Sequence, residues 1–206
     1  MKRGTMITIE GLDGAGKTTL AASLQPALAE RGLDVRLMRE PGGVEAAERV
    51  RELVKDPALV VGARAEALLY AAARAQLVEQ ALEPLLASGT SILLDRFVDS
   101  SLAYQGAGRG LGIEAIRAIN QFATGGLTPD RTLLLTIEPN EGKARSRART
   151  GPLDRLEREH DEFFARIAEA YAALAEAEPE RIRLIDGSAS PDRVLAAALH
   201  ALGDLI

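Results

Sequence analysis

The chain has 206 residues, and 47% of them are apolar, which suits one α/β domain with a full core and leaves little room for a second domain. Acidic residues outnumber basic ones by 30 to 25, and the net charge of −5 argues against general binding to nucleic acid or to anionic membranes. The absence of cysteine excludes disulfides, thiolate metal sites and thiol nucleophiles, and it fits a reducing cytoplasm.

Short apolar runs alternate with longer helical stretches, and the first run begins within a few residues of Met1. We therefore expect no signal peptide, and no apolar run approaches the ~18 residues of a membrane-spanning helix. Strands are predicted at 6–10, 34–38, 91–95, 131–137 and 181–185. Helices are predicted at 17–30, 44–54, 63–87, 111–123, 157–177 and 191–202. This alternation predicts a five-stranded parallel sheet with helices on both faces, in a single domain at 1–206.

Residues 11–18 read Gly-Leu-Asp-Gly-Ala-Gly-Lys-Thr, which matches the phosphate-binding loop G-x-x-x-x-G-K-[ST]. A predicted strand precedes the loop and a predicted helix follows it, as the motif requires. Backbone N–H groups at the start of that helix would face the phosphates. The motif predicts that Lys17 reaches the β- and γ-phosphates of a nucleoside triphosphate and that the Thr18 hydroxyl holds Mg²⁺. The alternative is a glycine-rich turn before an ordinary helix.

Charged residues follow the second and third predicted strands, whose carboxyl ends face the ligand crevice of a parallel sheet. Asp95 ends the third strand, where it suits the Mg²⁺ shell, and Arg96 suits the binding of a phosphate. An ordinary strand-end salt bridge is the alternative. Arg39 and Glu40 precede Pro41-Gly-Gly43, a rigid turn at the same edge of the sheet that by itself indicates only a loop.

Two arginines and a tyrosine lie on predicted helices. Tyr70 and Arg74 are four residues apart and share a helix face, which suits either a flat heterocycle or buried aromatic packing. Arg51, taken alone, is typical of a solvated helix face.

The segment at about 139–156 has no core pattern and lies between a strand and a helix, so we predict a mobile lid there. Its arginines form either a solvated basic loop or a clamp on a transferring phosphoryl group: Arg145, Arg147, Arg149 and Arg155. The phosphate loop itself contains no arginine. Positive charge beyond Lys17 and Mg²⁺ must therefore come from elsewhere, and this segment is the obvious source.

Neither histidine, His160 or His200, has a partner in the sequence pattern that would make it a general base. An alcohol acceptor often needs such a base, whereas a phosphomonoester is largely ionised at neutral pH. The chain therefore suits a phosphate acceptor better than an alcohol.

Four sequence blocks resemble the thymidylate kinase family of nucleoside monophosphate kinases, and the resemblance covers nearly the whole chain. In chain order they are Glu10-Gly-Leu-Asp-Gly-Ala-Gly-Lys-Thr-Thr19, Arg39-Glu-Pro-Gly-Gly43, Asp95-Arg-Phe-Val-Asp-Ser-Ser-Leu-Ala-Tyr-Gln-Gly106 and Leu153-Asp-Arg-Leu-Glu157. The third block is the most specific. The resemblance implies a three-layer P-loop fold with a short lid, with ATP as phosphoryl donor, dTMP as acceptor and Mg²⁺ as cofactor.

The resemblance also implies roles for individual positions. Those of the ATP site are Gly11, Asp13, Gly14, Ala15, Gly16, Lys17, Thr18, Thr19, Arg145 and Ser188. Those of the dTMP site are Asp13, Arg39, Pro41, Arg51, Tyr70, Arg74, Arg96, Ser100, Ser101, Tyr104 and Gln105. The implied catalytic residues are Lys17, Asp95, Arg96, Arg149 and Arg155, and the implied metal ligands are Thr18 and Asp95.

Several of these positions match a specific contact in the family. Asp13 matches the carboxylate that meets the 3′-hydroxyl of dTMP, and Arg39, Arg51 and Arg96 match contacts to its phosphate. Tyr70 matches the ring that stacks on thymine, and Arg74 the arginine at the edge of the base. Tyr104 matches the ring that crowds the 2′ position, and Ser188 lies where the family holds adenine. Val44, Glu138 and Phe97 depart from the residues usual in the family, and none of the three removes a charged contact.

The resemblance therefore implies phosphoryl transfer from ATP to dTMP in dTTP synthesis, by a cytoplasmic homodimer in which the helix near 63–87 contributes to the contact. Nucleic acid and membranes are not expected as partners. One alternative is a kinase of another small acceptor on the same fold. Another is a P-loop GTPase or regulatory NTPase, although the guanine-reading Asn-Lys-x-Asp is absent from the sequence.

Overall fold

Five parallel strands form one sheet in the computed structural model, which describes residues 3–148 and 154–206. The strands are β1 (Met6–Gly11), β2 (Val35–Arg39), β3 (Ser91–Asp95), β4 (Arg131–Thr136) and β5 (Ile182–Asp186). Their spatial order is β2-β3-β1-β4-β5, so the chain switches direction across the sheet at β1, where such sheets bind their ligands. Each predicted strand is confirmed to within one residue, and the predicted α/β fold class is confirmed as well.

Helices cover both faces of this sheet. In the described ranges they are α1 (Lys17–Ala29), α2 (Glu45–Lys55), α3 (Ala63–Leu77), α4 (Glu83–Ala87), α5 (Val98–Ser101), α6 (Ile113–Thr124), α7 (Pro139–Arg147), α8 (Asp161–Ala177) and α9 (Pro191–Ala201). Side chains of β1 alternate between the two faces: Ile7 and Ile9 pack with α1 and α9, and Met6 packs with the helical stretch from Leu77 to Leu86. Among the described residues, none of the helices has the length and apolar content needed to cross a membrane.

The predicted helix at 63–87 is interrupted. A π-helical turn, Val78–Leu82, separates α3 from α4. Pro84 lies in the first turn of α4, where it has no N–H to donate and its ring crowds the carbonyl four residues earlier, so a widened turn just before it is the accommodation expected.

Residues 98–108 form a helix that the sequence analysis did not predict. The helix α5 continues directly into a π-helical segment, Leu102–Gly108. Glycines at 106 and 108 disfavour a helix locally. Tertiary packing overrides that preference, since a Cβ on Gly108 would lie 2.7 Å from the Phe163 ring of α8.

The segment predicted as a lid, 139–156, is helical in its first part, and its role as a mobile lid stays a prediction. Its first part is the regular helix α7, and the predicted helix at 157–177 begins at Asp161. Polar residues cover most of α7, which is why the sequence carries no core pattern there.

Candidate active site

The loop between β1 and α1 has the strand–loop–helix arrangement that the phosphate-loop motif predicts. Gly14 and Gly16 have φ angles of 82° and 96°, which glycine adopts without strain, and Gly16 caps the N-terminus of α1. The first N–H groups of a helix lack intrahelical partners, so this end of α1 offers donors and a positive dipole to an anion. Lys17 Nζ donates to Gly11 O at 3.1 Å and to Leu12 O at 2.9 Å, so the side chain folds over the loop.

Two opposite charges lie together in this loop. Lys17 is only 7% exposed, and burial together with the nearby Arg96 lowers its pKa to about 8. Asp13 Oδ1 lies 3.8 Å from Lys17 Nζ. Burial works against ionisation of Asp13, but the positive charges of Arg96 and Lys17 outweigh it and hold the pKa of that carboxyl well below its usual range. Asp13 is therefore ionised, and Lys17 holds its proton less tightly than an ordinary lysine.

The helix α7 is packed directly on the phosphate loop. A Cβ on Gly14 would lie 2.1 Å from Gly142 O, and a Cβ on Gly142 would lie 2.8 Å from Asp13 O, so the two backbones touch where neither residue has a side chain. This contact brings Arg145 of α7 to the site, where its Nη1 donates to Gly187 O at 2.8 Å. The predicted lid is thus anchored on the loop at its first helix.

Thr18 and Asp95 meet at the carboxyl end of β3. Thr18 Oγ1 lies 3.5 Å from Asp95 Oδ2, and Asp95 Oδ1 is buried without a hydrogen-bond partner among the described residues. A hydroxyl beside a carboxylate with a free oxygen fits Mg²⁺, which takes one or two protein oxygens and completes its shell with phosphates and water. The part of the chain that the structure describes contains no cluster of three or more His, Cys, Asp or Glu side chains suited to a metal, so such an ion would depend on the nucleotide.

Arg96 joins the phosphate loop to the helical segment that follows β3. Its φ is 73°, a left-handed value that costs a non-glycine residue free energy and is often found at functional sites. Its guanidinium donates to Asp13 Oδ1 at 2.7 Å, to Ser100 Oγ at 3.0 Å, to Gly11 O at 3.1 Å and to Tyr104 OH at 3.2 Å. Burial alone would lower its pKa, but Tyr104 and Asp13 raise it well above the usual value. Arg96 therefore presents a fixed positive charge to the site.

A network behind Arg96 holds it in place. Glu10 is fully buried at the end of β1 and accepts hydrogen bonds from Phe97 N at 2.7 Å and from Tyr171 OH at 2.8 Å. Ser100 Oγ lies 2.5 Å from Glu10 Oε2 and also accepts from Arg96. Burial and the charge of Asp99 raise the pKa of Glu10 to about 7. This carboxyl was not among the predicted site residues.

A cavity of about 440 Å³ extends from the phosphate loop to the C-terminal halves of α2 and α3. It is lined by all the predicted site residues except Gly11, Ala15, Arg155 and Ser188, with Arg149 outside the described residues. At one side, Arg51 Nη1 donates to Pro41 O at 2.9 Å, and Arg39 Nη2 donates to Glu48 at 3.1 Å. These contacts place two cations on the wall of the cavity beyond the phosphate loop.

The inner end of the cavity is lined by Tyr70, Arg74, Ser101 and Gln105. Arg74 is only 2% exposed, and its Nε donates to Glu40 Oε2 at 2.7 Å. Burial raises the pKa of Glu40, and the charge of Arg74 opposes that rise. A cavity lined by an aromatic ring and polar side chains suits a heterocyclic base.

The similarity of the chain to known proteins agrees with this geometry. A family model described as thymidylate kinase matches residues 9–198. The chain belongs to the thymidylate kinase family. It is 46% identical over 204 residues to the thymidylate kinase of Deinococcus radiodurans, which covers 99% of this chain and 98% of the relative. It is 46% identical to that of Oenococcus oeni over 207 residues, with 98% and 96% covered. The crystal structure of thymidylate kinase from Ehrlichia chaffeensis matches with a TM-score of 0.77 at 28% identity, covering 97% of this chain and 99% of that one.

Members of the thymidylate kinase family are nucleoside monophosphate kinases, so the chain is an enzyme of this class. Of the four described family-implied residues that do not line the cavity, Gly11 and Ala15 belong to the phosphate loop, and Ser188 and Arg155 lie outside it. Ser188 is exposed and donates its hydroxyl to Asp186 Oδ1 at 2.6 Å. Arg155 Nε donates to Val54 O at 3.0 Å, and its Nη2 lies 2.6 Å from Glu66 Oε2. Their roles in the thymidylate kinase reaction stay predictions.

Several cavity-lining residues were not assigned to the site from the sequence: Glu40, Lys55, Asp154, Leu156 and Glu157. All except Lys55 lie within two of the blocks that resemble thymidylate kinases, so the resemblance could have indicated that these residues belong to the site. Lys55, at the end of α2, pairs with Asp154 at 2.8 Å, a contact across the fold that no local pattern indicates.

Proposed function

We propose that the protein transfers the γ-phosphoryl group of ATP to dTMP, giving ADP and dTDP, with Mg²⁺ and by direct in-line displacement in dTTP synthesis. The observation that carries this proposal is the continuity of the cavity. One space joins the phosphate loop to a wall of arginines and then to an aromatic and polar end. Two nucleotides held end to end in it would have their phosphates meeting beside Arg96.

The donor side rests on the phosphate loop. The N-terminus of α1 and Lys17 would receive the β- and γ-phosphates, and the lowered pKa of Lys17 would rise as an anion replaces the loop carbonyls as its partner. Mg²⁺, held by Thr18 and Asp95, would supply charge neutralisation on the phosphate oxygens. Arg145 reaches the same space from α7, and Ser188 is proposed for the adenine.

The acceptor side rests on the arginines beyond the loop. Arg39, Arg51 and Arg96 are proposed for the phosphate of dTMP, whose ionised oxygen requires alignment and no general base. Tyr70 is proposed to stack on thymine, with Arg74, Ser101 and Gln105 around the base. Asp13 is proposed to accept a hydrogen bond from the 3′-hydroxyl, and Tyr104 to crowd the 2′ position.

A panel of acceptors tests the proposal directly. ADP formation from ATP and Mg²⁺ is measured with dTMP, dUMP, dCMP and AMP, and we expect dTMP to give the highest kcat/KM. The Lys17→Ala variant should lose transfer altogether, because the phosphates lose their only loop cation. ATP hydrolysis that no acceptor stimulates would favour a regulatory NTPase, and transfer to another monophosphate above dTMP would favour the kinase of another acceptor.

We also propose a homodimer formed through α3 and α6, which pack against each other. Leu68 on α3 is 56% exposed and Phe122 on α6 is 92% exposed, and apolar side chains of this size on neighbouring helices suit an interface. Light scattering should give twice the chain mass for the wild type and a monomer for Phe122→Glu. A monomeric wild type would contradict this proposal. The cytoplasmic location expected from the sequence stays a prediction.

A further inference from the structure

Arg155 is implied to be catalytic by the resemblance to thymidylate kinases, but in this structure the protein itself engages its side chain. Its Nε donates to Val54 O at 3.0 Å, and its backbone N donates to Lys55 O at 3.3 Å. Both carbonyls belong to the last turn of α2, where a helix leaves C=O groups without intrahelical partners. Arg155 therefore caps the C-terminus of α2.

The same guanidinium also reaches α3. Arg155 Nη2 lies 2.6 Å from Glu66 Oε2, and the exposure of Glu66 is 0%. Arg109 Nη2 lies 3.0 Å from the same oxygen. A movement of Arg155 into the cavity would leave Glu66 with one cationic partner among the described residues and Val54 O without its donor, and such losses are costly for buried groups. The side chain of Arg155 is thus held between α2 and α3, away from the phosphates.

The two helices that Arg155 joins carry the acceptor side of the cavity. Arg51 lies one helical turn before Lys55 on α2, and Tyr70 lies one helical turn after Glu66 on α3. Arg51 and Tyr70 both line the cavity, whereas Arg155 does not. Arg155 therefore holds each helix one turn away from a residue that is proposed to bind the acceptor.

The turn at 154–157, which contains Arg155, forms part of the cavity wall. Asp154 Oδ1 accepts from Leu156 N and from Glu157 N at 3.0 Å, and Glu157 Oε2 accepts from Asp154 N at 3.0 Å. Asp154 Oδ2 pairs with Lys55 Nζ at 2.8 Å. Asp154, Leu156 and Glu157 line the cavity. This internally bonded turn is thus seated on α2 by Arg155, with its other side chains at the cavity.

We propose that Arg155 is a positioning residue for acceptor binding and not a catalytic residue: it fixes α2, α3 and the turn at 154–157 relative to one another. The spacing between Arg51 and Tyr70 across the cavity depends on this arrangement. The transfer step itself requires no contact from Arg155. The inference rests on the proposed function, since the helices that Arg155 joins carry the acceptor side of that reaction.

The Arg155→Met variant of the full-length protein tests this inference, because methionine keeps an apolar stem and removes the guanidinium. Calorimetric titration with dTMP gives Kd, and ADP formation gives kcat and the KM values of dTMP and ATP. We expect Kd and KM for dTMP to rise roughly three- to thirtyfold, the range for a residue that acts through its neighbours. The kcat and the KM for ATP should stay within about twofold, because loss of ground-state binding alone leaves kcat unchanged. A catalytic clamp would instead lower kcat by about 10²–10³.

A conservative variant and a matched control accompany this measurement. Lysine keeps the charge of Arg155 but lacks the planar fork that holds Glu66 and Val54 O together, so Arg155→Lys should give a Kd for dTMP between those of the wild type and Arg155→Met. Arg49→Met removes an exposed arginine of α2 that pairs with Glu45 on the helix surface. Its Kd, KM and kcat should all keep their wild-type values, and a rise in Kd as large as that of Arg155→Met would overturn the inference.

A wild-type Kd for dTMP in folded Arg155→Met would overturn the inference while leaving the proposed function standing, and so would a hundredfold loss of kcat. If that variant does not fold, as judged by circular dichroism, Arg155→Lys decides: weaker dTMP binding with near-normal kcat supports the inference, and any other result overturns it. A wild-type protein that neither binds nor phosphorylates dTMP would overturn the proposed function and this inference with it.

Discussion

Two substitutions at Arg96 distinguish the effect of losing its guanidinium from the effect of relieving its left-handed backbone. The guanidinium donates to four oxygens around the loop, including Asp13 Oδ1 and Ser100 Oγ. Its backbone has a φ of 73°, which disfavours any residue with a Cβ. We therefore compare Arg96→Ala with Arg96→Gly, because both remove the guanidinium and only glycine relieves the backbone.

The two effects have separate magnitudes. Loss of one preorganised donor at a developing charge typically lowers turnover by about 10²–10³, and we expect both variants to lose that much kcat/KM for dTMP. A left-handed residue other than glycine costs roughly 1–2 kcal/mol, so the free energy of unfolding should be about 1 kcal/mol higher for Arg96→Gly than for Arg96→Ala.

ADP formation at saturating ATP gives kcat and KM, and urea unfolding gives the free energy of unfolding for the same preparations. Arg49→Ala is the control, because Arg49 is exposed on α2 and pairs only with Glu45 in the described structure; its unfolding free energy should stay within about 0.5 kcal/mol of the wild type. Near-normal kcat/KM in both Arg96 variants would remove this residue from the mechanism. Equal stability of the two variants would refute the argument from the backbone.

Three further predictions concern groups around the phosphate loop. Because the pKa of Lys17 is lowered to about 8, binding of ATP at pH 8 should take up about half a proton; calorimetry in buffers of different ionisation enthalpy measures this, and uptake that persists in Lys17→Arg would contradict the assignment. Gly142→Ala should destabilise the protein by about 1–3 kcal/mol in urea unfolding, because its Cβ would lie 2.8 Å from Asp13 O, whereas Gly62→Ala, in open space, should be neutral or stabilising. Burial raises the pKa of Glu10 from 4.5 to about 7, so the folded state binds more protons than the unfolded state between these values and loses stability as pH rises through them. The stability of the wild type relative to Glu10→Gln should thus fall from pH 5 to pH 8, by at most about 3 kcal/mol, and a difference independent of pH would contradict the shift.

Local patterns in the sequence were sufficient for the sheet and the phosphate loop. Strands such as Ser91–Asp95 are short apolar runs between polar turns, and the loop is a contiguous motif whose geometry depends on its own glycines. The helix at 98–108 was missed because its glycines disfavour a helix and only packing against α8 makes it favourable. The polar composition of α7 likewise gives no sign of its contact with the phosphate loop, because that contact forms only when the chain folds.

The sequence by itself determined the phosphate loop, because the residues whose backbone amides form it follow one another along the chain. Only the tertiary structure decided which partners the polar groups on the cavity wall already have. Arg74 donates hydrogen bonds to Glu40, Ser101 and Asn120, partners 34, 27 and 46 positions away. Gln105 donates to Glu66 across 39 positions. Whether a buried guanidinium or amide still has a donor to offer depends on which distant groups already occupy it, and that is settled by packing rather than by spacing along the chain.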